Sequence, residues 1–136
     1  MIKEFTKYVA QEVVSLSTTG ASRNLYYGRR PQSAPDVSTV VEEPLPDPTD
    51  AQLTDKVVKT FRVECRGALD NYFSARDVAD SIHTAIHGVM QVSLPVVGSG
   101  PTYIVNVDVS APASVGPDEK HRPRIMMYIY CTTQEE

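Results

Sequence analysis

Between Lys56 and Arg66 the chain alternates cleanly. Phe61, Val63 and Cys65 fall on one side, and Thr60, Arg62, Glu64 and Arg66 on the other. Successive strand side chains point to opposite faces, so a period of two with polar residues opposite apolar ones predicts a half-buried strand. This segment commits the chain to a sheet with one packed face. Tyr103, Val105, Val107 and Val109 alternate with Ile104, Asn106 and Asp108 in the same way. From Arg124 to Thr133 the pattern changes. Ile125, Met127, Ile129 and Cys131 oppose Met126, Tyr128 and Tyr130, so both sides are apolar and the strand is expected to be central. Shorter strands are expected at Asn24–Tyr27, at Val37–Glu42, and at Val89–Val97, where Pro95 points to an edge or a bulge.

Two helices are available to cover the packed face. Ile2, Phe5, Val9, Val13 and Leu16 recur at helical spacing, with Lys3, Glu4, Lys7 and Gln11 on the other side, and Ser17-Thr18-Thr19-Gly20 ends the run. The second helix is marked by Val78, Ala79, Ile82, Ala85 and Ile86. Ser74 and Asp77 are read as a capping box at its start, and Gly88 as the glycine just past its end. The expected fold class is α+β: a single mostly antiparallel β-sheet with two helices packed on one face, in one domain over residues 1–136. Segments 43–55 and 110–123 are long and Pro-rich. Pro44, Pro46 and Pro48 rule out a ladder or a helix there, so an extended arm is expected.

Charge and composition narrow the function. The 13 Lys plus Arg against 17 Asp plus Glu give a formal net charge of −4, an unsuitable balance for gripping duplex phosphates. No apolar run approaches the roughly twenty residues a membrane-spanning helix needs. The N-terminal residues Met1 to Lys7 carry no apolar leader core, so no secretory signal is expected. Cys65 and Cys131 both sit in strand-like runs and are read as small buried hydrophobes, with a disulfide as the lesser reading. His83 and His87 stand four apart on the second helix with Asp80 a turn earlier, a spacing that could bring two imidazoles to a metal. They lie opposite the apolar stripe, however, so a solvated polar face is the plainer reading, and no Glu stands between them to serve as a base. His121 sits in a mixed-charge run with Asp118, Glu119, Lys120, Arg122 and Arg124, which reads as a solvated tip or contact patch. No phosphate loop, nucleophile elbow or activated cysteine is evident. No cofactor, metal or catalytic residue is assigned. Arg29 and Arg30 beside Tyr26 and Tyr27 read as a protein contact.

The order of these segments resembles the tail terminator (tail-completion, or minor capsid) proteins of long-tailed bacteriophages. The resemblance rests on Phe61-x-Val63-x-x-Arg66 running on to a helix that ends Ile86-His87-Gly88. It rests also on Gly28-Arg29-Arg30-Pro31 and Ala34-Pro35-Asp36 before a buried strand, and on the late loop carrying Pro112, Gly116, Asp118 and Arg122 or Arg124. The resemblance implies a non-enzymatic protein of the virion, assembled in the host cytoplasm. It would form a homo-oligomer, a hexameric ring, that caps the tail tube protein, stops its polymerisation and meets the head-completion or neck protein, with DNA passing through the lumen unread. The alternatives are another head–tail joining protein (a neck stopper or tube subunit), a small metal-dependent enzyme using Asp80, His83 and His87, or a ligand-binding α+β domain.

Ring closure requires two different, complementary patches on each copy. The candidates are the basic set Lys56, Lys59, Arg62 and Arg66 against the acidic set Glu42, Glu43, Asp47 and Asp50. Arg29, Arg30, Asp118, Arg122 and Arg124 are further interface candidates.

Overall fold

The computed structural model describes residues 2–44, 56–94 and 103–134. The chain is an α+β fold. Its elements run α1 (Ile2–Glu12), β1 (Leu25–Tyr27), β2 (Ser38–Glu42), β3 (Lys56–Arg66), α2 (Tyr72–Ile86), β4 (Val92–Leu94), β5 (Tyr103–Val109), β6 (Ala113–Ser114) and β7 (Arg124–Gln134). The strand order is β1-β2-β3-β7-β5-β4, with β6 alongside β7. All pairings are antiparallel except β1 with β2, which run parallel in the register Leu25 to Thr39 and Tyr27 to Val41.

β7 is central, as its two apolar faces predict. It pairs with all eleven residues of β3, from Lys56 opposite Gln134 to Arg66 opposite Arg124, and with β5 on its other side. One face of the sheet carries Phe61, Val63, Cys65, Val105, Val107, Ile125, Met127, Ile129 and Cys131, all buried. Both helices cover that face. α1 inserts Phe5, Tyr8 and Val9, with Phe5 stacked on Phe61 at 5.0 Å. α2 inserts Ala75, Ala79, Ile82 and Ile86. α1 touches β1 and β2 at one edge and β4 at the other, so the sheet curls around it. Each fully buried large side chain contributes about 1.5–3 kcal/mol relative to exposure.

Several boundaries differ from the sequence reading for local reasons. α1 stops at Glu12, and Val13 and Leu16 reach the core from the turns beyond it. α2 begins at Tyr72 and is capped by Asn71, whose Oδ1 accepts from Ser74 N at 3.3 Å. Ser74, expected to be the cap, instead bridges backwards. Its Oγ accepts from Ala68 N at 2.8 Å and donates to Asn71 O at 2.7 Å. Gly67 lies beneath this knot, and a Cβ there would meet Pro123 Cγ at 2.9 Å. At the other end of α2, Gly88 has φ +77°, as a residue just past a helix requires.

The strand expected over Val89–Val97 shrinks to Val92–Leu94, and Pro95 to Val97 lie outside the described residues. Val89 O accepts from Val107 N, whereas Val92 pairs with Val105. Three steps on one strand therefore span two on the other. This is a bulge, with Gln91 at φ +57° and its N–H on Asn106 Oδ1. Segment 110–123 is also less of a loop than expected. Ser110 N donates to Tyr128 O, Tyr128 N donates to Ser110 Oγ, and β6 pairs Ala113 with Met126, so this edge of β7 stays covered.

Candidate functional site

The face of the sheet away from the helices divides into two regions. Over β2 and the C-terminal half of β3, residues 28–37 fold across the sheet and are held by arginines. Arg30 donates from Nε to Ser38 Oγ (2.9 Å), from Nη1 to Glu64 Oε1 (3.0 Å), and from Nη2 to the carbonyls of Ser38 (3.2 Å) and Glu64 (3.1 Å). The Arg30 and Glu64 side chains are each only 13% exposed. Arg66 donates to the carbonyls of Asp36 (3.0 Å) and Pro35 (2.9 Å). Arg122 joins Asp36 (2.9 Å) to Asp118 (2.8 Å), and Arg124 Nε reaches Gly116 O at 3.2 Å. Burial alone would raise the Asp118 pKa. Hydrogen bonds from the Arg122 backbone and side chain and from Lys120 N outweigh it and hold the carboxyl below its ordinary value. Burial and the nearby charges of Arg30 and Arg122 lower the Arg66 pKa.

Some of the charged residues expected to meet between neighbours are joined within one chain. Arg62, set on the basic patch, pairs with Glu42 of the acidic patch at 2.6 Å, and that hydrogen bond raises the Arg62 pKa. Arg30, Arg66, Asp118, Arg122 and Arg124 all serve the clamp. Arg29, Glu43 and Lys59 are exposed. Asp47 and Asp50 lie outside the described residues, and Lys56 is placed only as the first residue of β3. The aromatic–basic cluster splits. Tyr26 is buried beneath Arg23, whose guanidinium lies 4.5 Å from its ring centroid, whereas Tyr27 and Arg29 face solvent.

The second region of this face is open. Tyr128 and Tyr130 of β7, Val58 of β3 and Ile104 of β5 are about 40–60% exposed, on one side of three adjacent strands. The sequence pattern located β7 in the centre of the sheet with apolar side chains on both faces, and the helices cover only one of the two. The signal for an open face was the tyrosines, which tolerate water at their hydroxyl ends. Leu69, Tyr72 and Phe73 form another exposed apolar group, at the start of α2, with the Tyr72 and Phe73 rings edge-to-face at 5.5 Å.

The possible metal pair is engaged in structure. The His83 and His87 rings stack at 4.7 Å, His87 Nδ1 accepts from Val109 N at 3.0 Å, and Asp80 pairs with Arg76. Among the described residues no group of three His, Cys, Asp or Glu is placed to hold a metal ion. Cys65 and Cys131 are buried free thiols, each pushed up to about 12 by burial, far from thiolate character at neutral pH. No helix among the described residues is long and apolar enough to cross a membrane.

No protein-family model and no curated protein matches the chain. Its fold does match a solved chain from the virion of a native gene transfer agent (GTA) particle. The TM-score is 0.63 at 13% identity, and the match covers 93% of this chain and 92% of that one. At that identity the likeness is one of fold, and it extends over nearly the whole of both chains.

Proposed function

We propose that this chain is a structural, non-enzymatic subunit of a phage-like virion, and that it acts as a tail terminator. In this reading it forms a hexameric ring at the head-proximal end of the tail. The ring caps the tube protein, ends its polymerisation and presents a surface to a head-completion or neck protein, while DNA passes through the lumen. The observation that carries the reading is the fold match to a virion chain over 93% of this sequence. The tail-terminator resemblance of Phe61 to Arg66 and Ile86 to Gly88 supports the finer assignment. Two further features suit a protein that works by contact. Apolar side chains stand exposed in groups on the sheet face and at the start of α2, and the net charge of −4 suits a conduit through which DNA slides.

Native mass spectrometry with negative-stain electron microscopy tests this. The expected result is closed rings at about six times the 15.0 kDa chain mass. A monomer at every concentration would reject the ring, and long tubes would reassign the chain as a tube subunit.

A further inference from the structure

The two helices share one layer but expose opposite charge. α1 turns Lys3, Lys7 and Gln11 to solvent, with Val14 just past its end 98% exposed. Lys7 has no partner among the described residues, whereas the charge of Lys3 is one of the influences that lower the Glu4 pKa. α2 turns out Phe73, 67% exposed, followed by Asp77, Asp80, Ser81 and Thr84. Asp77, Asp80, Ser81, Thr84 and Ala85 line a shallow, wide-open strip along α2. Asp80 already pairs with Arg76, whose guanidinium also donates to Pro112 O, but it stays half exposed and has acceptor capacity to spare. Among the described residues Asp77 has no side-chain partner. Because each helix buries its other side against the same sheet, these two exposed stripes cannot face each other within one chain.

The spacings match when the stripes are laid antiparallel. Lys7 to Val14 and Phe73 to Asp80 are each seven residues; Phe73 to Asp80 spans about 10 Å at helical rise, and Val14 stands in the turn just beyond the end of α1. Setting Lys7 opposite Asp80 brings Val14 opposite Phe73, Gln11 beside Asp77 and Lys3 opposite Thr84. A parallel alignment satisfies the charges but leaves both apolar ends uncovered. We propose that α1 of one copy lies antiparallel along the exposed α2 stripe of the next, with Lys7 on Asp80 and Val14 on Phe73. Each copy offers α1 on one side and α2 on the other, so the contact is head-to-tail and can close into a ring. The inference rests on the self-association proposed above and names the surface that produces it.

The test is charge exchange in the full chain, read by native mass spectrometry and sedimentation, with circular dichroism to confirm folding. Lys3→Glu with Lys7→Glu, and separately Asp77→Lys with Asp80→Lys, should each raise the concentration needed for half-assembly at least tenfold. The chain carrying all four changes should assemble again. So should an equimolar mixture of the two double variants, because each then offers the other a matched stripe on both sides. Phe73→Ser, an exposed change that leaves the core untouched, should weaken assembly without altering charge. Rings unaffected by either double variant would overturn this contact and leave the ring reading intact, as would folded exchange variants that fail to reassemble. A wild-type chain that never assembles would overturn both.

Discussion

The two regions of the helix-free sheet face solve the same problem in opposite ways. Over β2 and the end of β3, polar and charged side chains are covered by residues 28–37; Arg30 makes four hydrogen bonds and Arg66 two to acceptors within the chain, while Arg62 Nε is buried without a partner among the described residues. Over β7, β5 and the start of β3, apolar and aromatic side chains are left uncovered. The charged region thus makes its contacts within the chain, and the apolar one leaves its area open to water. An arginine whose donors already have acceptors has little left to offer a neighbour, whereas an exposed tyrosine or isoleucine still has area to remove from water.

The sharpest way to break the contrast is Arg30→Ala. It removes four hydrogen bonds and leaves Glu64, 13% exposed, without its cation. Removing one partner of a largely buried pair costs far more than the pair contributes net. The expected loss is about 3 kcal/mol, about 10 °C in Tm for a chain of this size, read by thermal and urea unfolding. A loss under about 1 kcal/mol would mean that residues 28–37 are held by something other than this clamp.

That clamp was the least legible part of the sequence. The strand Lys56–Arg66 was readable to the residue because alternation is local, and so was the central place of β7. The tie from Arg30 to Glu64 spans 34 positions and that from Arg122 to Asp36 spans 86. No periodicity encodes such pairs, so the sequence does not show which charges are joined within the chain. The parallel pairing of β1 with β2 was hidden for the same reason. The cap of α2 failed more narrowly: Asn71 and Ser74 are both good capping residues, and only the turn at Asp70, with φ +54° and its N–H on His121 O, decides between them.

Asp118→Asn tests the polar region more gently and adds a pH dependence. The amide oxygen still accepts the backbone N–H groups of Lys120 and Arg122, but the ionic bond to Arg122 is lost. The expected cost is about 1–2 kcal/mol at pH 7. The Asp118 pKa is lowered on folding from an ordinary 3.8. Its contribution is therefore complete above that value and is lost as pH falls through the lower folded value. Urea unfolding at pH 7, 5 and 3 should show equal gaps between wild type and variant at the first two and a narrowing gap below. A gap that stays constant throughout would mean that the carboxylate charge at 118 adds nothing.

Tyr130→Thr has the smallest expected effect and addresses the open region directly. Tyr130 stands between Thr60 of β3 and Asp108 of β5, 40% exposed. Threonine keeps a β-branched side chain suited to the strand, and no hydrogen bond from the Tyr130 hydroxyl is lost among the described contacts. Exposed substitutions of this kind stay within about 0.5 kcal/mol, so unfolding should be almost superimposable on wild type. If it is, the aromatic surface of β7 is not needed for folding. A loss above about 1 kcal/mol would place Tyr130 among the packed residues and erase the distinction between the two regions of this face.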